Sequence, residues 1–147
     1  MRPYTYSHYN EDANYSNYKQ ALAHPLGANF NEWIGSIRYR ISPRLLVQSR
    51  LYIINKGEDS DSVSFGGDIN VPNIARPDDY GHSVGQGVHE EIVFWSSGLS
   101  YEFTPGLFVD LQYLSRKKTS DLPARNLSTN LFQVGVRLNM ARREDVF

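Results

Sequence analysis

Five stretches of this chain alternate with a period of two. Because successive side chains of an extended backbone point to opposite faces, that rhythm dictates strands rather than helices. In Glu32 to Ile41, one face carries Trp33, Gly35, Ile37, Tyr39 and Ile41, and the other Ile34, Ser36, Arg38 and Arg40. After a tight Ser42-Pro43 turn, Leu45, Val47, Ser49, Leu51 and Ile53 oppose Leu46, Gln48, Arg50, Tyr52 and Ile54. Further on, Val93, Trp95, Ser97, Leu99, Tyr101 and Phe103 oppose Ile92, Phe94, Ser96, Gly98, Ser100 and Glu102. A Thr104-Pro105-Gly106 turn leads to Leu107–Leu114, and the last run sets Phe132, Val134, Val136, Leu138 and Met140 against Leu131, Gln133, Gly135, Arg137 and Asn139. Only Gly35, Ser49 and Ser97 interrupt the apolar face, whereas Arg38, Arg40, Arg50, Glu102, Asp110 and Arg137 all fall on the opposite one. The expected strands are about 2–9, 31–41, 44–55, 91–103, 107–114 and 130–140. A helical turn or two at Asn17–Ala23 is the one departure from extended structure.

Alternation alone does not say whether the apolar face meets a protein core or lipid. Three features favour lipid. The runs are 8 to 12 residues long, against 5 to 6 for ordinary strands, and a strand tilted across a bilayer needs roughly 9 to 11. Connections alternate between tight (Ser42-Pro43 and Thr104-Pro105-Gly106) and long (Asn10–Phe30, Lys56–Glu91 and Ser115–Thr129), the asymmetry of outer-membrane barrels with short periplasmic turns and long outer loops. Aromatic residues gather near the strand ends on the apolar face at Trp33, Tyr39, Trp95, Tyr101, Phe103 and Tyr113, where interfacial rings would sit. The expectation is an all-β fold, an antiparallel up-and-down transmembrane β-barrel segment of about six strands in the bacterial outer membrane. A porin-like channel and a soluble β-sandwich binding module are its rivals.

The closing strand adds a local signal. Gln133, Gly135, Leu138 and Met140 resemble the C-terminal assembly signal of outer-membrane barrels, which implies the barrel-assembly machinery as a partner. Farther upstream, YSNYKQALAHPLGANFNEWIGSIRY from Tyr15 to Tyr39 resembles the outer-membrane capsule-assembly (Wzi-like) family and its gliding-motility relatives in Bacteroidetes-type bacteria. In that family a tyrosine-containing loop leads into a Gly/Ala-His-x-x-Gly segment, and Tyr18, Ala23, His24 and Gly27 occupy those places. The GGDIN stretch from Gly66 and the RLNMARRE ending are similar too. The resemblance implies a non-enzymatic protein that binds or organises surface or capsular polysaccharide, with its long loops at the cell surface. Family members are much longer, and six strands are too few to close a membrane barrel. Residues 1–147 are therefore expected to be the C-terminal part of such a barrel. MRPYTYSHYN has no apolar stretch of the kind that addresses a chain for export.

Composition narrows the chemistry. A formal net charge of −1 argues against a nucleic-acid partner, and the absence of cysteine removes disulfides, thiolate metal sites and cysteine nucleophiles. Half of the 16 acidic residues crowd into Lys56–Glu91. Within it, Gly57-Glu58-Asp59-Ser60-Asp61 partly matches a calcium loop but lacks the glycine at position six and the closing glutamate. His82 and His89 with Asp78 are too widely spaced for a zinc motif. Ser97 and His89 have no GxSxG element to support a hydrolase. No metal, no cofactor and no catalytic residue are expected. Arg38, Arg40, Arg50 and Arg137 facing Glu102 and Asp110 would either pair as a plug or attract anionic solute. The candidate polysaccharide-binding residues are Tyr15 and Tyr18, whose rings would stack on sugars, with His24 beside them in the family-like segment and Arg38 and Arg40 at a lumen mouth.

Overall fold

The alternating stretches pair with one another in chain order. A computed structural model describes residues 1–60 and 63–139. A small hairpin of β1 (Ser16–Asn17) and β2 (Gln20–Ala21) precedes a five-stranded antiparallel meander. Its strands are β3 (Phe30–Ser42), β4 (Leu45–Glu58), β5 (Val88–Thr104), β6 (Leu107–Ser120) and β7 (Leu127–Leu138). The register holds the two faces apart across the whole sheet. Tyr39, Val47, Leu99, Leu111 and Val134 form one cross-strand row, and Arg38, Gln48, Gly98, Gln112 and Gln133 form the next, on the opposite face. A slip of one residue at any pairing would send its apolar side chains to the charged face.

Both tight turns lie at one rim. Pro105 and Gly106 make the β5–β6 turn, where Gly106 takes φ +83° and Glu102 accepts its N–H at 3.0 Å. Pro before a positive-φ Gly is the preference of a type II turn. The opposite rim carries residues 1–29 and the long β4–β5 segment, which fold into a cap. The buried sheet residues Phe30, Ile54 and Ile92 share the charged face at this rim, and Ala28 and Ile69 join them from the cap. Lower down, that face has its own polar packing. Arg137 reaches Asp110 at 3.0 Å and stands 4.2 Å over the Phe108 ring.

The apolar face has no cover among the described residues. Trp33 is 69% exposed and Val136 72%, and Ile37, Tyr39, Phe103, Phe132 and Leu138 are exposed with them. On β3 the band runs from Trp33 to Ile41, about 20 Å once a strand tilt near 40° is allowed for.

Several expectations need correction. Arg2–Tyr9 is not a strand but a series of turns, with Tyr4 at φ +57° and its N–H bonded to the Gly66 carbonyl. The meander therefore has five strands, not six. In place of a helical turn at Asn17–Ala23, the chain forms the β1–β2 hairpin from Ser16 to Ala21. The expected long loop from Ser115 to Thr129 shrinks to 121–126, because β6 runs to Ser120 and β7 starts at Leu127. Near that rim both faces of β6 carry Arg116, Lys117, Lys118 and Thr119, so the polarity contrast that betrays a strand disappears. Among the described residues β3 and β7 each pair on one side only, and the sheet does not close into a barrel. Met140, the last residue of the assembly signal, lies outside the described residues, while Gln133, Gly135 and Leu138 lie on edge strand β7.

Candidate functional site at the capped rim

The cap is assembled around two side chains. Asn29, fully buried and at φ +57°, donates from Nδ2 to the carbonyls of Gly57 (2.9 Å) and Gln86 (2.8 Å) and accepts from the Gly85 N–H (2.8 Å). One amide thereby ties the start of β3, the end of β4 and the approach to β5. Asp59 does the same for the turn that follows it. Its carboxylate accepts the N–H groups of Phe65 (2.6 Å), Gly67 (3.2 Å) and Asp68 (3.4 Å) and the Ser64 hydroxyl (3.3 Å). Converging donors make this an anion's environment, the reverse of a calcium loop, whose oxygens must point at the metal.

The segment around His24 and Gly27 and the stretch from Gly66 meet in the cap. Gly27, at φ +75°, lies so close to the Gly67 carbonyl that a Cβ would stand 2.9 Å from it, and Ala28 N–H bonds to that same oxygen. His24 anchors the turn. Its Nδ1 accepts the Leu26 N–H at 3.2 Å, its Nε2 lies 3.2 Å from the Glu32 carboxylate, and its ring packs 4.6 Å from that of Phe30. With both nitrogens engaged, His24 positions the loop and has little left to offer a ligand.

Between these segments and the β1–β2 hairpin opens a cleft of about 480 Å³, edged by Lys19, Gln20, Asp68 and Asn70 and floored by the Lys56–Glu58 ion pair at 2.7 Å. Tyr18 and Lys19 make the two-residue turn of that hairpin, at φ +49° and +61°, and Lys19 edges the cleft. Both angles are left-handed, as a type I′ hairpin turn requires, yet neither residue is the Gly or Asn that such turns favour. Each costs about 1 kcal/mol or more in that conformation. Tyr18 is 94% exposed at this strained tip, while Tyr15 stacks on Tyr6 with ring centroids 5.5 Å apart. Tyr4 sits deeper, its hydroxyl donating to the Ser64 carbonyl at 2.6 Å. Burial, with the Asp59 carboxylate second, raises its phenol above the ordinary range.

Arg38 and Arg40 are not part of this site. They lie on β3 toward the tight turns, where Arg40 donates to the Pro43 carbonyl at 3.0 Å. Arg38 is eight residues beyond Phe30, roughly 26 Å along an extended strand. The arginines nearer the cap are Arg50 and Arg116, level with Ser96 and Phe94 on β5. Sequence reading places Arg116 in a loop and so misses it, along with Glu90 and Asn29, and it notes Asp59 only within the partial calcium-loop match. Glu90 is buried against Lys118 (2.7 Å) and Arg125 (3.9 Å).

The other chemical candidates do not converge. His82 Nε2 bonds to the Asp78 backbone carbonyl rather than its carboxylate, and His89 is exposed at the start of β5. Ser97 lies eight residues further along β5, on the apolar face. Among the described residues no three His, Asp or Glu side chains gather where a metal could be held. What the cleft offers is hydrogen bonding, with the exposed Tyr18 one residue along the chain from the Lys19 that edges it. No protein-family model, curated protein or solved structure matches the chain.

Proposed function

We propose that this chain is part of an outer-membrane β-barrel that binds or organises surface polysaccharide and performs no chemistry on it. The observation that carries the reading is the uncovered apolar band. Rows such as Tyr39, Val47, Leu99, Leu111 and Val134 stay in register across five strands, with Arg38, Arg50, Glu102, Asp110 and Arg137 on the reverse face. An exposed apolar surface of that extent needs a partner, and lipid meets a two-faced sheet of long strands without requiring shape complementarity. The polysaccharide half of the proposal rests on the cap. Tyr18 is exposed at the hairpin tip, next in sequence to the Lys19 that edges a polar cleft, and the segment from Tyr15 to Tyr39 resembles the capsule-assembly family. Tyrosine buries apolar area at small entropic cost and leaves a hydroxyl for sugar oxygens.

Fractionation of producing cells tests the membrane half, with recovery in the outer membrane expected. A chain found in the soluble fraction and monodisperse without detergent would instead be a soluble β-sandwich-like module. Replacing Tyr15 and Tyr18 by alanine should release polysaccharide from the surface without altering membrane recovery; unchanged retention removes the polysaccharide assignment. One observation favours a porin-like reading, since Arg38, Arg50 and Arg116 make no ion pair among the described residues. Anion conductance that falls when Arg38 and Arg50 are neutralised would put transport in place of retention.

A further inference from the structure

Beneath the cap, on the charged face, lies a second cavity of about 510 Å³. Arg50 on β4 and Arg116 on β6 flank it, one strand apart on either side of β5, and Leu26 of the cap overhangs it. Two spacings between neighbouring strands separate the backbones of the arginines laterally by roughly 10 Å. Tyr52 and Phe94, packed edge to face with centroids 5.6 Å apart, supply its apolar wall, and Gln112 supplies an amide. Both arginines are exposed to solvent.

The charge pairing around the cavity is uneven. Each carboxylate described on this face is already engaged: Glu32 by His24, Glu58 by Lys56, Glu90 by Lys118, Glu102 by the Gly106 N–H and Asp110 by Arg137. Arg50 and Arg116 have no carboxylate partner among the described residues. Two free guanidinium groups beside an aromatic wall match a ligand that carries spaced carboxylates on rings with apolar C–H faces. Arginine can grip each carboxylate through two parallel hydrogen bonds.

We infer that this cavity is a subsite for an acidic saccharide chain, held by Arg50 and Arg116 against the Tyr52–Phe94 wall. The inference rests on the polysaccharide reading above and adds the chemical class of the polymer.

The test is titration calorimetry on the detergent-solubilised full chain with tri-galacturonate, with maltotriose as the neutral probe and sodium sulfate as the free anion. Tri-galacturonate should bind, weaken as salt is raised, and lose at least tenfold in affinity in Arg50→Gln and in Arg116→Gln. Arg50→Lys should fall between, because it keeps charge but not the two-bond grip. Maltotriose and sulfate should bind more weakly, with maltotriose indifferent to the arginine variants. Equal binding of tri-galacturonate by the Gln variants and the unchanged chain overturns the subsite, as does sulfate binding as tightly as the saccharide. The wider reading fails separately. If arginine-dependent tri-galacturonate binding is seen while the tyrosine variant retains surface polysaccharide, the cavity stands and the surface role of Tyr15 and Tyr18 falls.

Discussion

Asn29 and Gly57 are locked together in both directions. The Asn29 amide donates to the Gly57 carbonyl at 2.9 Å, the Gly57 N–H returns a bond of 2.9 Å to the Asn29 carbonyl, and a Cβ on Gly57 would collide with that same amide. The cap should therefore come loose when either residue changes. Asn29→Gly keeps the left-handed backbone but takes the side-chain partner from the buried Gly57 carbonyl and from the half-buried Gln86 carbonyl and Gly85 N–H, at up to about 1–3 kcal/mol for a group left unsatisfied. Asn29→Asp should be worse, because a carboxylate would face two carbonyl oxygens. Limited proteolysis is expected to cut within 63–87 in both variants and in Gly57→Ala, with strand content unchanged by circular dichroism. Protection equal to that of the unchanged chain would show that the cap is held elsewhere.

The two faces of the sheet should respond oppositely to charge. Leu99 and Val134 sit in one row of the apolar band, whereas Gln112 lies one row away on the reverse face. In a bilayer, arginine near the midplane costs roughly 2–4 kcal/mol. Leu99→Arg and Val134→Arg should each block membrane integration, and Gln112→Arg should integrate normally. Flotation with lipid vesicles reads all three, and equal flotation would mean that the apolar band does not meet lipid.

The five meander strands and the separation of their faces are readable in the sequence because period-two alternation is local and the two faces differ sharply in polarity. Where that contrast fades, reading fails, as at Arg116 to Thr119. The cap is opaque for a different reason. Its organisers, Asn29 and Asp59, act on backbone groups up to 57 residues away in sequence, and nothing local marks an asparagine that will serve as a hub. Arg2–Tyr9 shows the reverse error. Its tyrosines alternate, yet Tyr4 packs on Gly66, where a Cβ would stand 2.6 Å from the Tyr4 nitrogen. The distant glycine permits this approach, and turns replace the strand. Tyr18 is legible as a candidate, but its strained backbone is not.

Tyr4 should make docking of the N-terminal segment sensitive to alkali. Its phenol, raised by burial and by Asp59, holds its proton longer in the folded chain than in the unfolded one. The contribution is therefore complete below the ordinary phenol pKa, about 10, and is lost as pH rises through the raised value. Hydrogen exchange at Gly66 and Gly67 should accelerate across that window. Tyr4→Phe, which removes the bond to the Ser64 carbonyl, should weaken protection by about 1 kcal/mol at neutral pH and flatten the alkaline change. An identical alkaline profile in the variant would assign the transition to another group.

Tyr18 and Lys19 set stability against display. Both hold left-handed angles at the tip of the β1–β2 hairpin, and the exposed Tyr18 ring makes no stacking contact among the described residues. The double substitution Tyr18→Asn with Lys19→Gly supplies the Asn-Gly pair that a type I′ turn prefers. Strain relief of about 1 kcal/mol per position should make the hairpin more resistant to exchange and proteolysis. If the strain is maintained to present an aromatic ring to sugar, the same double variant should retain less surface polysaccharide. Lys19→Gly alone should gain stability while keeping most of the retention, because the ring remains. A double variant that is more stable and retains polysaccharide fully would show that the tip is an ordinary turn.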